Sequence, residues 1–246
     1  MRKRKRPAQL DLAFEARAKA RRRAGRKAGQ GRRRVRHRVR GAHASAHPLH
    51  VVLRSKFRSL RSQFVFPTVR LALAAATRAR ADFRVVQFSV QGDHVHLIVE
   101  ARDKSALSRG MQGLAIRIAR QVNRLVGRSG KLWADRFFSR ALSSPRAVQR
   151  ALAYVLNNFR KHAARAAGAF RIDPYSSAPY FDGFRELRGR APCELPRSRS
   201  LPLVPHGVPP PQTEAEIPIV PARTWFAQTG WRRAGLIAFS ERGTGA

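Results

Sequence analysis

The sequence predicts an α+β domain with a ferredoxin-like (RRM-like) antiparallel sheet and helices packed mainly on one face. The first observation behind this prediction is the order of apolar patterns between residues 49 and 162, which is strand, helix, strand, strand, helix, strand, helix. The second is the short turn at Gly92 and Asp93, which separates two strand patterns and indicates an antiparallel hairpin. The third is the change of composition on either side of this region, which indicates that one domain is flanked by two extensions.

The first half of the domain contains a strand, a helix and a second strand. A strand is predicted over residues 49–54, where apolar side chains alternate. A helix is predicted from Pro67 to about Ala81, because proline suits the first turn of a helix and the apolar residues that follow recur at helical spacing. Alternation over residues 83–91 predicts the next strand, which enters the hairpin.

The second half begins with a strand over residues 94–100. Asp103 or Ser105 can cap a long helix that runs to about Val126, and its apolar residues form one stripe. A further strand is predicted over residues 131–142. The pair Ser144-Pro145 then combines a capping side chain with proline at the first helical position, which predicts the start of the last helix.

The two ends of the chain have unusual compositions. Residues 1–42 hold 18 Lys and Arg against two acidic residues, which predicts an arm that is disordered or forms a transient basic helix. Such an arm would contact phosphates without regard to sequence, although a merely solubilising tail has the same composition. Nine prolines between residues 192 and 221 predict an irregular extension. The segment after them holds Trp225 and Trp231 and is expected to dock onto the core of the domain. The predicted domains are therefore 1–42, 43–170 and 171–246.

The formal net charge of +37 restricts the expected partners to polyanions, and the sheet face that lacks helices is expected to be open to nucleic acid. The chain has no run of 18 apolar residues and no apolar segment after its basic start, so neither a membrane role nor a signal peptide is expected. A single cysteine, Cys193, fits a reducing compartment, which predicts a cytoplasmic protein. The 14 acidic residues form no convincing paired cluster, which argues against a carboxylate-dependent nuclease.

The strand over residues 94–100 carries a His-x-His pair. Side chains alternate along a strand, so His94, His96 and Glu100 share one face, which is expected to be exposed, while Val95 and Leu97 share the other. The two histidines are expected about 7 Å apart. Two imidazoles held in this way can chelate a metal ion, although two histidines on a solvent-facing strand produce the same pattern.

The last helix carries a tyrosine outside its apolar stripe. With 100° per residue, Asn158 lies about 40° from Tyr154, and Asn157 lies about 60° away on the other side. A tyrosine at the edge of the core is the simpler interpretation. The functional one is a nucleophile that attacks a phosphodiester, with Asn158 as an oxygen ligand beside the two imidazoles.

Together, His94-Val95-His96 and Tyr154-Val155-Leu156-Asn157-Asn158 resemble the paired motifs of the HUH single-tyrosine transposases (IS200-like), most closely those of the REP-associated branch. The resemblance covers about residues 47–165. It implies a DNA transposase that uses Mg²⁺ or Mn²⁺, held by His94, His96 and Asn158, and forms a 5′-phosphotyrosine at Tyr154. Asn158 stands where several insertion-sequence relatives have glutamine, and Asn157 is the alternative ligand.

The resemblance also implies a partner, which is single-stranded DNA with hairpins, in the bacterial cytoplasm and associated with the nucleoid. Both a monomer and a homodimer fit it. A non-catalytic hairpin-binding protein of the same fold is the alternative function. The side chains expected to hold phosphates are Arg136, Arg160, Lys161 and His162, and the aromatic residues that either stack a base or pack in the core are Trp133, Phe137 and Phe138.

Overall fold

The computed structural model describes residues 41–159, 172–188 and 216–241. Within these residues the chain forms four strands, three longer helices and one helix of a single turn, with three short 3₁₀ turns towards the C-terminus. The elements in chain order are β1 (Leu49–Arg54), α1 (Phe66–Arg78), β2 (Phe83–Val90), β3 (His94–Ala101), α2 (Lys104–Leu125), β4 (Phe138–Ala141), α3 (Pro145–Asn157) and α4 (Trp225–Gln228), with 3₁₀ turns at Ala178–Tyr180, Arg185–Leu187 and Gly230–Ala234.

The four strands form one antiparallel sheet in the order β2-β3-β1-β4. With helices after β1 and after β3, this order is the split β-α-β plan, and it confirms the predicted fold class. In the register of β1 and β3, His50 lies opposite Ile98 and Val52 lies opposite His96. Because directly opposed residues point to the same side of a sheet, His50 shares a face with His96.

The helix ends follow from local side chains. Asp103 caps α2 by accepting a hydrogen bond from the Ala106 backbone N–H at 2.7 Å. Ser144 caps α3 in the same way, through the Ala147 N–H at 3.2 Å, and proline occupies the first turn. After α2 the backbone turns at Gly127 with a φ of 63°, a left-handed conformation that glycine adopts without strain. The predicted starts of both helices are confirmed.

The strand predicted over residues 131–142 is wrong in its extent, because β4 comprises only Phe138–Ala141. The preceding segment forms just an isolated bridge between Trp133 and Ser55. The indole N–H of Trp133 donates to the Ala115 carbonyl at 2.8 Å. This bond holds the segment against α2, and the pairing of Trp133 with Ser55 is shifted by two residues from the register of β4 with β1, so the two stretches do not form one continuous strand.

Apolar side chains pack on both faces of the sheet. On one face, Val95, Leu97 and Val99 are buried beneath α1 and α2. On the other face, Ile98 is buried together with side chains of α3 and of residues 216–241. Helices α1 and α2 therefore share one face, as predicted. The expectation that the second face is open to nucleic acid is wrong over β2 and β3, because α3 and the C-terminal segment cover it.

Glu100 on β3 anchors the C-terminal segment to the sheet. Its carboxylate accepts hydrogen bonds from the backbone N–H groups of Arg223 and Thr224 and from the Thr224 hydroxyl, at 2.8 to 3.0 Å. The side chain was expected to be exposed beside the histidines, and the structure corrects this: Glu100 is only 5% exposed. A buried carboxylate needs such donors, and the tail supplies them.

The same segment is also tied to α3. The Asn157 side-chain amide donates to the carbonyls of Ala238 and Glu241 at 3.0 and 2.9 Å. Trp231 is buried among the side chains of the second cluster. The expected docking of the tail through a tryptophan therefore takes place, and it fixes the helix that carries Tyr154.

The outer edge of β2 is covered by a short segment within residues 172–188, which follows the first gap in the described chain. Val90 N–H donates to the Tyr175 carbonyl, and Ser177 N–H donates to the Phe88 carbonyl, both at 2.9 Å. Arg61 and Asp173 form a two-pronged ion pair, at 2.9 and 2.6 Å, that holds this segment in place. The segment satisfies backbone groups that an open edge strand would expose.

Two glycines of α2 give a matched test of the packing between this helix and the sheet. A Cβ at Gly110 would overlap the ring of the buried Phe83, whereas a Cβ at Gly113 meets no atom. We expect Gly110→Ala to lower the free energy of unfolding by about 1–3 kcal/mol through overpacking. We expect Gly113→Ala to raise it by roughly 0.5–1 kcal/mol through helix propensity. Urea unfolding of both variants checks this, and equal effects would contradict it.

Several predictions lie outside the described residues. These are the basic arm up to residue 40, the DNA contacts Arg160, Lys161 and His162, and most of the proline-rich stretch. The three predicted domain boundaries stay predictions. Among the helices that the structure describes, none has the length and apolar character needed to cross a bilayer.

Candidate active site

The histidine pair lies on β3, on the face that α3 covers. The His94 and His96 rings are nearly perpendicular, with their centroids 4.7 Å apart. His94 is partly exposed, and its Nδ1 lies 2.7 Å from the Asp93 carboxylate. Since an ionised carboxylate can only accept, His94 donates from Nδ1, and this hydrogen bond lowers the pKa of Asp93.

Helix α3 brings Tyr154 onto the same face. Its ring lies 5.2 Å from that of His96, in an edge-on arrangement. Burial raises the pKa of the Tyr154 hydroxyl above its ordinary value of 10.0. The tyrosine is therefore protonated at neutral pH, and it needs help from a cation or a base before it can attack.

A third histidine, His50 on β1, completes the cluster, and sequence reasoning missed it. Its Nε2 lies 3.2 Å from Nδ1 of His96, and the two rings stack with centroids 5.4 Å apart. The His50 ring also lies 5.8 Å from that of Tyr154. Alternation along β1 places His50 on the face away from Val51, but only the register with β3 shows that this face is the one carrying His96.

Charge and burial act together on His50. Burial, followed by the positive charge of Arg140 on the neighbouring strand, lowers the pKa of His50 to about 4. The ring is therefore neutral at pH 7. A neutral imidazole offers one donor and one acceptor, so His50 can accept a hydrogen bond from His96 as well as donate one.

The two asparagines at the end of α3 differ in their surroundings. Asn158 is only 2% exposed, and neither its amide nitrogen nor its amide oxygen has a hydrogen-bond partner. Asn157 is also buried, but its amide nitrogen is engaged by the C-terminal segment. Asn158 lies one helical turn beyond Tyr154, so the two side chains are neighbours on α3. Of the two candidate ligands, Asn158 is the one with unused polar atoms, while Asn157 ties α3 to the tail.

This set of donors fits a divalent cation. Two imidazoles and an amide oxygen suit Mn²⁺ and, less well, Mg²⁺. The buried amide of Asn158 is the observation behind this fit. An unpaired polar group in a protein interior is destabilising, and a cation bound by the amide oxygen would satisfy that atom. Within the described part of the chain, no three His, Cys, Asp or Glu side chains are grouped so that they could bind a metal, and Asn158 stays the predicted third ligand.

The histidine face remains exposed along β1 and β4. Phe138 lies opposite Val52, and Arg140 lies opposite His50, so both point to this face. Phe138 is 58% exposed, and Arg140 and Arg54 are also exposed. We call Arg54, Phe138 and Arg140 the open strip. It offers two cations and one aromatic ring beside the histidines.

The other predicted DNA contacts divide between the surface and the core. Arg136 is exposed, on the loop before β4. Trp133 and Phe137 pack against the first core cluster, so the packing interpretation holds for these two aromatic residues. Phe138 alone of the three is exposed.

Comparison with known proteins gives one matching family model and several similar solved structures. Residues 43–158 match the family model described as "Transposase IS200 like". The chain is similar in structure to a REP-associated tyrosine transposase bound to a REP hairpin, with a TM-score of 0.45, 17% identity, and coverage of 58% of this chain and 82% of that one. It is also similar to a candidate transposase from Deinococcus radiodurans R1, with a TM-score of 0.33, 16% identity, and coverage of 46% and 87%. Among curated proteins the comparison finds no match.

Proposed function

Because residues 43–158 form a domain of the IS200-like transposase family, we propose that this protein cuts single-stranded DNA beside a hairpin and transfers the cut end. The Tyr154 oxygen attacks the scissile phosphorus and forms an O–P bond, while the bond from phosphorus to the 3′ oxygen breaks. The tyrosine loses its proton, and the departing 3′ oxygen gains one. The products are a 5′-phosphotyrosine and a free 3′-hydroxyl, and attack by another 3′-hydroxyl reverses the reaction.

The observation that carries this proposal is the contact between Tyr154 and the histidine pair. Residues 94 and 154 are far apart in the sequence, yet the rings of Tyr154 and His96 lie 5.2 Å apart, and those of His96 and His94 lie 4.7 Å apart. A nucleophile beside potential metal ligands is the arrangement that metal-assisted phosphoryl transfer needs. A tyrosine that only filled the edge of the core would not need imidazoles around it.

His94, His96 and Asn158 would hold the divalent cation. When bound, the cation supplies Lewis-acid chemistry by polarising a phosphoryl oxygen. His96 and His50 also pack against the Tyr154 ring and so orient its hydroxyl. The partial burial that raises the pKa of Tyr154 keeps water away from the attacking oxygen.

The open strip is the proposed path of the DNA strand. Arg54 and Arg140 would bind phosphates, and the exposed ring of Phe138 would stack on an unpaired base. Arg136, just before β4, extends the same basic surface, and Arg160, Lys161 and His162 are proposed to extend it beyond α3. The hairpin partner follows from the likeness of the two motifs to those of REP-associated transposases.

Phe138 gives a specific test of this path. We expect Phe138→Ala to weaken binding of a single-stranded oligonucleotide by about 1–3 kcal/mol, the usual value for one stacked base. Phe64→Ala is the matched control, because Phe64 is 65% exposed but lies just before α1, which packs on the other face. Fluorescence anisotropy titrations at one salt concentration measure both. Equal affinities for the two variants would place the DNA elsewhere.

The proposed function as a whole is tested by incubating the protein with end-labelled hairpin oligonucleotides, with Mn²⁺ or with a chelator. A labelled band at the mass of protein plus DNA on a denaturing gel, seen only with the metal, is the expected result. Mass spectrometry of the digested adduct should place the phosphate on the peptide that contains Tyr154. Tight binding without an adduct for any hairpin would contradict the proposed chemistry.

A non-catalytic hairpin-binding protein is the second candidate function. The raised pKa of Tyr154 favours it, because a protonated phenol is a poor nucleophile at neutral pH. The open strip would serve such a protein equally well. The same gel separates the two functions, since only the enzyme forms a bond that survives denaturation.

A further inference from the structure

His50 is a buried polar residue whose hydrogen bond to His96 has no part in the proposed reaction so far. It is 3% exposed and lies on β1, across from Ile98. Its Nδ1 has no hydrogen-bond partner, so the buried ring leaves one polar atom unsatisfied. A leucine of similar size would avoid that cost. The side-chain hydrogen bond that the structure shows for His50 is the one to His96, from Nε2 to Nδ1 at 3.2 Å.

The geometry of this contact bears on which nitrogen of His96 can bind a cation. A neutral imidazole has one protonated and one unprotonated nitrogen, and only the unprotonated one can be a ligand. If the His96 proton is on Nδ1, it points at Nε2 of His50, and Nε2 of His96 is left as the ligand atom. If His50 instead donates from Nε2, the His96 proton moves to its own Nε2, which then cannot bind a cation.

The other histidine of the pair is held in the same manner. Nδ1 of His94 donates to the Asp93 carboxylate at 2.7 Å, which directs its proton away from Nε2. Both histidines of the pair therefore have a hydrogen-bond partner at Nδ1, one a carboxylate on a neighbouring residue and the other an imidazole from β1. Metal-binding histidines usually donate their second N–H to such an acceptor, which fixes the tautomer and the ring orientation.

We propose that His50 is a positioning residue that keeps His96 in the Nδ1–H tautomer, as Asp93 does for His94, so that both rings present Nε2 to a divalent cation. This proposal rests on the proposed function, because it assumes the cation site formed with Asn158. It assigns His50 no contact with the cation or with DNA. Its effect on the cation site passes through His96.

Two substitutions separate this role from packing. In His50→Gln, the amide oxygen reaches about as far as Nε2 of histidine and can accept from His96. In His50→Leu, the side chain fills the space and accepts nothing. We expect the glutamine variant to bind Mn²⁺ within a few fold of the wild type, and the leucine variant to bind it about 10–100-fold more weakly. Titration calorimetry without DNA measures all three proteins.

The tautomer itself is the second readout, and it needs neither metal nor DNA. In long-range ¹H–¹⁵N spectra of the metal-free protein, we expect the His96 proton on Nδ1 in the wild type and in His50→Gln, and on Nε2 in a substantial fraction of His50→Leu. Wild-type His96 protonated mainly at Nε2 would overturn the proposal, as would wild-type Mn²⁺ affinity in His50→Leu. If His50→Leu does not fold, the wild-type spectrum and the glutamine variant still test the proposed tautomer of His96.

These measurements also keep the two proposals apart. If the wild type binds no Mn²⁺, the cation site of the proposed function fails and the positioning role falls with it. A different outcome separates them. If the wild type binds Mn²⁺ and forms the DNA adduct, and His50→Leu binds Mn²⁺ with unchanged affinity, the proposed function stands and only the role of His50 is overturned.

Discussion

Replacement of Tyr154 by phenylalanine is expected to abolish the covalent protein–DNA adduct while leaving the affinity for hairpin DNA within a few fold. The variant keeps the ring that packs on His96 and His50 and removes only the attacking oxygen. Because no other group in the proposed reaction bonds to phosphorus, the rate should fall below detection rather than by a modest factor. The measurement is the denaturing gel with end-labelled hairpins and Mn²⁺.

The chain supplies matched controls for this substitution. Its other two tyrosines are Tyr175, which packs beneath the Arg61 guanidinium, and Tyr180, in a 3₁₀ turn. We expect Tyr175→Phe and Tyr180→Phe to form adducts like the wild type. An adduct that persists in Tyr154→Phe but is lost in either control would assign the nucleophile to that other tyrosine.

Replacement of Trp231 by alanine is expected to lower the free energy of unfolding by about 3–5 kcal/mol, the usual loss for a fully buried tryptophan. Trp231 is 2% exposed, and its ring lies 5.3 Å from that of Phe181 in the cluster shared with α3. For a domain of this size the melting temperature should fall by roughly 10 °C. Chemical and thermal unfolding measure both quantities.

This substitution also bears on the site, since the same C-terminal segment bonds to Asn157, three residues after Tyr154. We therefore expect Trp231→Ala to form less adduct even at temperatures where it is folded. Trp225→Ala is the control, because Trp225 is 46% exposed and should cost about 1 kcal/mol or less. If the two tryptophan variants were equally stable, the tail would not be part of the core.

Local signals accounted for most element boundaries. Asp103 and Ser144 cap their helices as predicted, because a capping side chain acts on backbone groups only three residues away. The strand predicted over residues 49–54 and the turn at Gly92 and Asp93 agree with the structure for a similar reason. Alternation and turn chemistry are properties of a few consecutive residues.

The sequence-based predictions were wrong where contacts between residues far apart in the sequence determine the structure. The strand before α3 is shorter than predicted because its pairing with β1 shifts by two residues between Trp133 and Phe138, where the indole of Trp133 bonds to Ala115, 18 residues away. The second face of the sheet is partly covered because Glu100 binds backbone groups of Arg223 and Thr224, more than 120 residues later. No periodicity within a short window carries information about such contacts.

The sequence by itself determined the order of the strands and helices, the shared face of His94 and His96, and the position of Tyr154 outside the apolar stripe of its helix. Each of these depends on the fixed rotation per residue of a strand or a helix. Only the tertiary structure decided that His50 contacts His96, 46 residues away, and that Asn157 is engaged by the tail while Asn158 keeps unused polar atoms. The rotation of an element fixes where a side chain points around its own axis, whereas what lies in that direction depends on how the elements pack.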